Sequence, residues 1–158
     1  MDYLTPLDAP ALRDLGIPEP WTFGIADRVR FGELDAMGHV NNTASLRWFE
    51  SFRLPFLKAR FATDYGQHSP RLVLKQVGVT YNAEILNQDD YIVTGRVRSY
   101  RRTSFVMDYA VWLLRETPIE AVTAHAVIVF LNPEGAGRFA IPQAAKEAFA
   151  REDGAAEE

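Results

Sequence analysis

The stretch Asp35-Ala36-Met37-Gly38-His39-Val40-Asn41-Asn42 sits where the chain changes its period. Before it, Phe23, Ile25, Val29 and Phe31 share one parity, while Thr22, Ala26, Arg28 and Arg30 take the other. That alternation predicts a half-buried strand with one wet face. Asp27 is the one mismatch on the apolar parity. After the stretch, Leu46, Phe49, Arg53, Phe56, Leu57 and Phe61 recur at steps of three and four, with Trp48 and Phe52 widening the stripe. The spacing predicts a helix from Thr43 to about Phe61, a rod about 28 Å long. Asn42 is placed to cap it, and Pro55 to kink it or break its hydrogen-bond ladder. A carboxylate is thus held in a short loop containing Gly38, just before a helix N-terminus with free N–H groups and a positive dipole end. Hydrolysis of an activated acyl group needs that pairing of carboxylate and oxyanion site.

Toward the N-terminus, Pro6, Pro10, Pro18 and Pro20 exclude a long helix and predict an irregular arm over residues 1–20. Toward the C-terminus, Asp64-Tyr65-Gly66 and Ser69-Pro70 end the helix. Strands are then expected over 71–81, 90–100, 103–115 and 120–131. The last has Val122, Ala124, Ala126, Ile128 and Phe130 on one face and His125, Val127, Val129 and Leu131 on the other, so both faces should be covered. Pro142 opens a short helix to about Arg151, and residues 152–158 read as an acidic, flexible tail. The expectation is a single domain over 21–151 of class α+β. One long central helix is wrapped by a curved antiparallel sheet of about five strands. The other sheet face and the open edges invite a second subunit, giving a homodimer or homotetramer.

The chain has 158 residues, enough for one core and too few for two. Apolar residues make up 47%, which excludes a disordered chain. A net charge of −4 recruits no nucleic acid, so an anion site must be a local basic patch. The absence of cysteine excludes a disulfide framework, a thiol nucleophile and thiolate metal sites. No apolar run approaches the ~20 residues that cross a bilayer, and the acidic, proline-containing N-terminus is unlike a signal peptide. A cytoplasmic protein without membrane partners is expected. His68 and His125 stand alone, and Glu33, Asp35 and His39 form no recognised metal set, so no metal is expected.

Arg28-Val29-Arg30-Phe31-Gly32-Glu33-Leu34-Asp35-Ala36-Met37-Gly38-His39-Val40-Asn41-Asn42, continuing to Leu46-Arg47-Trp48-Phe49-Glu50, resembles hot-dog fold thioesterases of the 4-hydroxybenzoyl-CoA thioesterase type. The similarity in element order runs from about residue 22 to 142. The resemblance implies a hot-dog fold and hydrolysis of an acyl thioester, carried by coenzyme A or an acyl carrier protein, with no cofactor beyond the substrate's own coenzyme A. It implies that Asp35 is the catalytic carboxylate, in a loop completed by Gly38 and His39. It also implies that the backbone N–H of Asn42 polarises the thioester carbonyl. Arg101-Arg102, before Thr103-Ser104, matches a basic hairpin near the CoA phosphates. Two departures stand out: Ser45 replaces an aromatic residue common in relatives, which alters the acyl pocket, and Thr103 replaces a basic one.

The chemistry can be read beside that resemblance. A thiolate leaves readily, with a pKa near ~8.5, so no strong general acid is required. A carboxylate acting as nucleophile or as general base for water is required, with oxyanion stabilisation. A loop Asp also commonly bonds its own backbone as a turn-former. His39 reads equally as a loop residue and as a group orienting Asp35. The side chains of Asn41 and Asn42 read as helix caps, with Asn41 and Ser45 beside the substrate. Glu50 reads as structural, paired with Arg47 or Arg53. Arg96, Arg98, Arg101 and Arg102 cluster around one strand end, where guanidinium forks suit phosphate oxygens. Two rivals to the hydrolase are a hot-dog protein that binds an acyl thioester without cleaving it and, with weaker motif support, an enoyl-thioester hydratase.

Overall fold

A computed structural model describes all 158 residues. The chain order is β1 (Pro6–Asp8), α1 (Ala9–Asp14), β2 (Phe23–Arg28), a 3-10 turn (Phe31–Glu33), α2 (Ala44–Ala59), β3 (Arg71–Tyr81), β4 (Asp90–Tyr100), β5 (Ser104–Leu113), β6 (Ile119–Leu131), α3 (Gln143–Asp153) and β7 (Ala156–Glu157). The strands form one sheet in the order β1-β2-β4-β5-β6-β3, antiparallel throughout, with β7 added in parallel to β4. The sheet therefore has seven strands rather than five.

The two additions correct the readings of both chain ends. Residues 1–20 are not irregular: β1 pairs with β2, and α1 follows with Asp8 capping it through the Ala11 N–H (3.0 Å). Pro10 lies in the first turn of α1, where its missing N–H costs nothing. Leu12 and Ile17 pack with Trp21, Ala26, Ile92, Ala110 and Trp112 in a small second core. The face of β2 expected to be wet is thus covered at Gly24 and Ala26, while Arg28 and Arg30 stay exposed. Residues 152–158 are likewise held. Strand β2 pairs with only the first half of β4, through Thr94, and leaves the rest of that edge open. Asp153 accepts the Val97 N–H (3.1 Å) and β7 pairs with Ser99 and Tyr100, closing it.

Helix α2 lies on the opposite face. Phe49 stacks on Tyr109 at 4.6 Å, and Phe52 and Phe56 meet Phe23 edge-on at 5.6 and 5.5 Å. The Phe52 ring sits directly over Gly95, inside contact distance of where a Cβ would stand, so any side chain there would push the helix off the sheet. Helix α2 runs on through Pro55 without the expected break. Phe52, Phe56 and Leu57, buried on both sides of the proline, anchor both halves in the core. The Asp27 mismatch has a cause too: its carboxylate takes Arg30 at 2.9 Å and the Arg28 N–H. Phe31 departs from its predicted burial and is 80% exposed, because β2 stops at Arg28 and the 3-10 turn breaks the parity.

Candidate active site

The segment Asp35–Asn42 folds as a tight loop pinned at its base. Leu34 bridges Val40, His39 bridges Leu86, and the Asn41 N–H donates to Glu33 O (2.7 Å). Gly38 turns the loop at φ +80°, a conformation with a steric penalty for residues bearing a Cβ. Asp35 organises the loop: its Oδ1 accepts the N–H groups of Met37 (2.8 Å) and His39 (3.2 Å). The turn-former reading and the catalytic reading are therefore compatible, because Oδ2 carries no such bond. The His39 imidazole goes elsewhere, with Nε2 3.3 Å from Glu84 Oε2. It is the His39 backbone that contacts Asp35.

Of the two asparagines expected at the helix start, only one is engaged through its side chain, in the turn that leads into the N-cap Thr43, which has no side-chain cap of its own. Asn41, not Asn42, supplies the side-chain oxygen, accepting from Thr43 N (2.9 Å) and Thr43 Oγ1 (2.8 Å). Its carbonyl accepts the Ala44 N–H (2.9 Å). A trans peptide points its N–H opposite its carbonyl, so the Asn42 N–H is turned away from the helix body. It donates to no group of the chain. The next peptide is fixed as well, since the Asn42 carbonyl accepts the hydroxyls of Tyr81 and Ser45. Asp35, His39, Asn41, Asn42 and Ser45 all line one cavity of ≈ 500 Å³, closed by Trp48 and by the end of β3. Gly38 shapes the loop without lining the cavity.

The basic residues lie elsewhere on the same chain. Arg101, Arg102 and Ser104 line a separate cleft of ≈ 450 Å³. Two cations absent from the sequence reading join them: Lys75 from the β3 bulge, and Arg138, whose Nη1 donates to Thr103 Oγ1 (3.3 Å). Arg138 thus brings positive charge to the position where Thr103 lacks it. Only the register of β3 against β6, and of the loop after β6, places these residues together; no local motif marks them. Arg98 does not line the cleft. It and Arg96 flank Asp108 at 3.5 and 3.6 Å. Glu50 makes neither expected ion pair, and the Arg53 guanidinium donates instead to the Tyr109 hydroxyl (3.1 Å).

A long helix laid on an antiparallel sheet, entered through a carboxylate-bearing loop, defines the hot-dog class. The sequence matches the thioesterase-like superfamily over residues 29–149, and the chain belongs to that family. It is similar to a thioesterase superfamily protein from Jannaschia sp. CCS1, with 59% identity over 98% of both chains and a TM-score of 0.96. It is also similar to a thioesterase from Thermus thermophilus solved with coenzyme A and zinc, with 28% identity, 87% of this chain, 98% of that one, and a TM-score of 0.73. A DHNA-CoA thioesterase from Staphylococcus aureus shares the fold, at 19% identity, 81% and 88% coverage, and a TM-score of 0.70. Comparison with curated proteins finds no match. No helix is long and apolar enough to cross a membrane.

Proposed function

We propose that this protein is an acyl-CoA thioesterase that uses Asp35 and the Asn42 N–H on the two sides of a thioester carbonyl. The observation that carries the reading is that one cavity is lined by Asp35, whose Oδ2 has no hydrogen-bond partner in the chain, and by Asn42, whose N–H donates to no group of the chain. The Asn42 N–H takes the charge that develops on the carbonyl oxygen. In one route Asp35 attacks the carbonyl carbon, the C–S bond breaks, and water then opens the acyl–Asp35 anhydride. In the other, Asp35 takes a proton from a water that attacks that carbon as the C–S bond breaks. Both release the thiolate and the free acid. No cofactor is called for beyond the substrate's own coenzyme A.

The cationic cleft and the Asp35 cavity lie at opposite ends of the sheet. Ser104 is level with Val129 and hence with Val73, whereas the Asp35 cavity adjoins Tyr81. The outer edge of β3 is unpaired over eleven residues, and such an edge is a template for a second strand. Two copies paired antiparallel about Val77, midway between 73 and 81, would set Val73 of one opposite Tyr81 of the other. One protomer's Arg101, Arg102 and Arg138 would then face the other's Asp35 cavity. A homodimer is proposed on that ground, with phosphate-bearing carriers as its partners.

Thiol release from a panel of short, medium, long and aromatic acyl-CoAs tests the reading, with Asp35→Asn and Asp35→Ala beside the wild type. The Asn variant keeps an oxygen for the Met37 and His39 N–H groups, so it reports on charge rather than on loop collapse. Turnover should fall by about 100-fold or more in both. Acyl-CoA binding without wild-type turnover would move the assignment to a non-catalytic acyl-thioester-binding protein.

A further inference from the structure

A second cavity of ≈ 460 Å³ also has Trp48 in its wall. Trp48 is the one residue that lines both. Its indole is fixed from two directions: it stacks on Tyr91 at 4.1 Å, and Nε1 donates to Glu33 Oε1 at 2.9 Å. Tyr91 and Glu33 both line the second cavity and neither lines the first. Half of its lining is apolar, with Ile25, Phe52, Pro55 and Val93. Of the polar half, Asp27 is paired with Arg30 and Glu33 is taken by the indole, which leaves Arg47 and Ser51. The composition suits an aliphatic chain.

We infer that Trp48 is the specificity-determining partition of the acyl site, closing the Asp35 cavity against longer chains and restricting the enzyme to short or compact acyl groups. The inference rests on the thioesterase reading above. An indole held by both a stack and a hydrogen bond cannot swing aside without losing both, so the partition is fixed rather than a gate. Removing it joins the two cavities and admits the distal methylenes of a longer chain.

The test compares wild type, Trp48→Ala and Trp48→Phe across acetyl-, butyryl-, hexanoyl-, octanoyl-, decanoyl- and palmitoyl-CoA. Wild-type kcat/KM should peak among the short chains. Trp48→Ala should raise kcat/KM for octanoyl- and decanoyl-CoA relative to butyryl-CoA by about tenfold or more, since each methylene seated in an apolar pocket is worth roughly that factor. Trp48→Phe keeps a ring against Tyr91 and should retain the wild-type profile. Titration of the same three proteins with S-alkyl-CoA thioethers of matching lengths separates the two readings. A length limit that shifts in Trp48→Ala without hydrolysis by any form would uphold the partition and remove the hydrolase. An unchanged length profile in folded Trp48→Ala, a wild-type preference for palmitoyl chains, or thioether binding that ignores length or is absent in all three would overturn the partition.

Discussion

Asn41 sits between the carboxylate loop and the helix, and its side chain caps the chain where the proposed oxyanion donor begins. Replacing it with Ala removes two accepted bonds, from Thr43 N and Thr43 Oγ1. The expected stability loss is about 1 kcal/mol, read from the urea midpoint. The Asn41 side chain closes on Thr43 N across the Asn42 peptide, while the Asn41 carbonyl that accepts the Ala44 N–H is kept in the variant. Thus kcat should fall while KM changes little, the pattern of an interaction felt in the transition state. Asp90 makes a different residue-scale case. The Arg28 guanidinium (2.7 and 3.0 Å), with the Tyr3 hydroxyl (2.6 Å), holds its carboxyl below the ordinary 3.8. A lowered folded-state value means the stabilisation is complete above pH 3.8 and is lost as pH falls through the lowered value. The Arg28 side chain is half exposed, so solvent screening keeps the contribution small. Asp90→Asn should flatten the acid limb of stability against pH and loosen the N-terminal arm that Tyr3 ties down. Hydrogen exchange at residues 4–8 checks the second effect.

At the scale of elements, α2 and α3 are joined by a buried ion pair. Arg60 forks onto Asp153 with contacts of 2.7, 3.1 and 3.2 Å, and both side chains are nearly inaccessible. Asp153→Ala leaves a buried guanidinium without its counter-charge and the Val97 N–H without its acceptor, so urea unfolding should show a loss of about 3–5 kcal/mol. The double replacement Arg60→Met with Asp153→Leu should lose much less, since neither charge is then stranded. This staple also explains what could be read in advance. Strands β3 and β4 fall at 71–81 and 90–100, because the turn residues Ser69-Pro70 and Asn87-Gln88-Asp89 that break the chain on either side are local signals. The ends of the chain were opaque for a tertiary reason. Six residues of α1 and two of β7 carry no periodic signal, and each forms because a neighbour leaves a face or an edge uncovered. The site divides the same way. Asp35, His39, Asn41, Asn42 and Ser45 lie within eleven consecutive residues and meet at one cavity. Lys75 and Arg138 reach Arg101 only through strand register, which no local pattern encodes.

For the whole molecule, the separation of the two sites along the sheet is the strongest constraint. A single chain cannot place its own Arg101 hairpin beside its own Asp35, because the two lie at opposite ends of β6. If two protomers share each site, Asp35→Asn and the double variant Arg101→Ala, Arg102→Ala must complement. Each homodimer alone is impaired at both sites. After mixing and subunit exchange, half of the dimers are hybrids, and in each hybrid one site carries both substitutions while the other carries neither. Activity should therefore rise to about one quarter of the wild-type value at equal total protein. Thiol release measured before and after exchange reads this directly, with sedimentation confirming that dimers persist. Activity that stays at the mean of the two parents would place carboxylate and cations in one chain's site and remove the antiparallel β3 pairing.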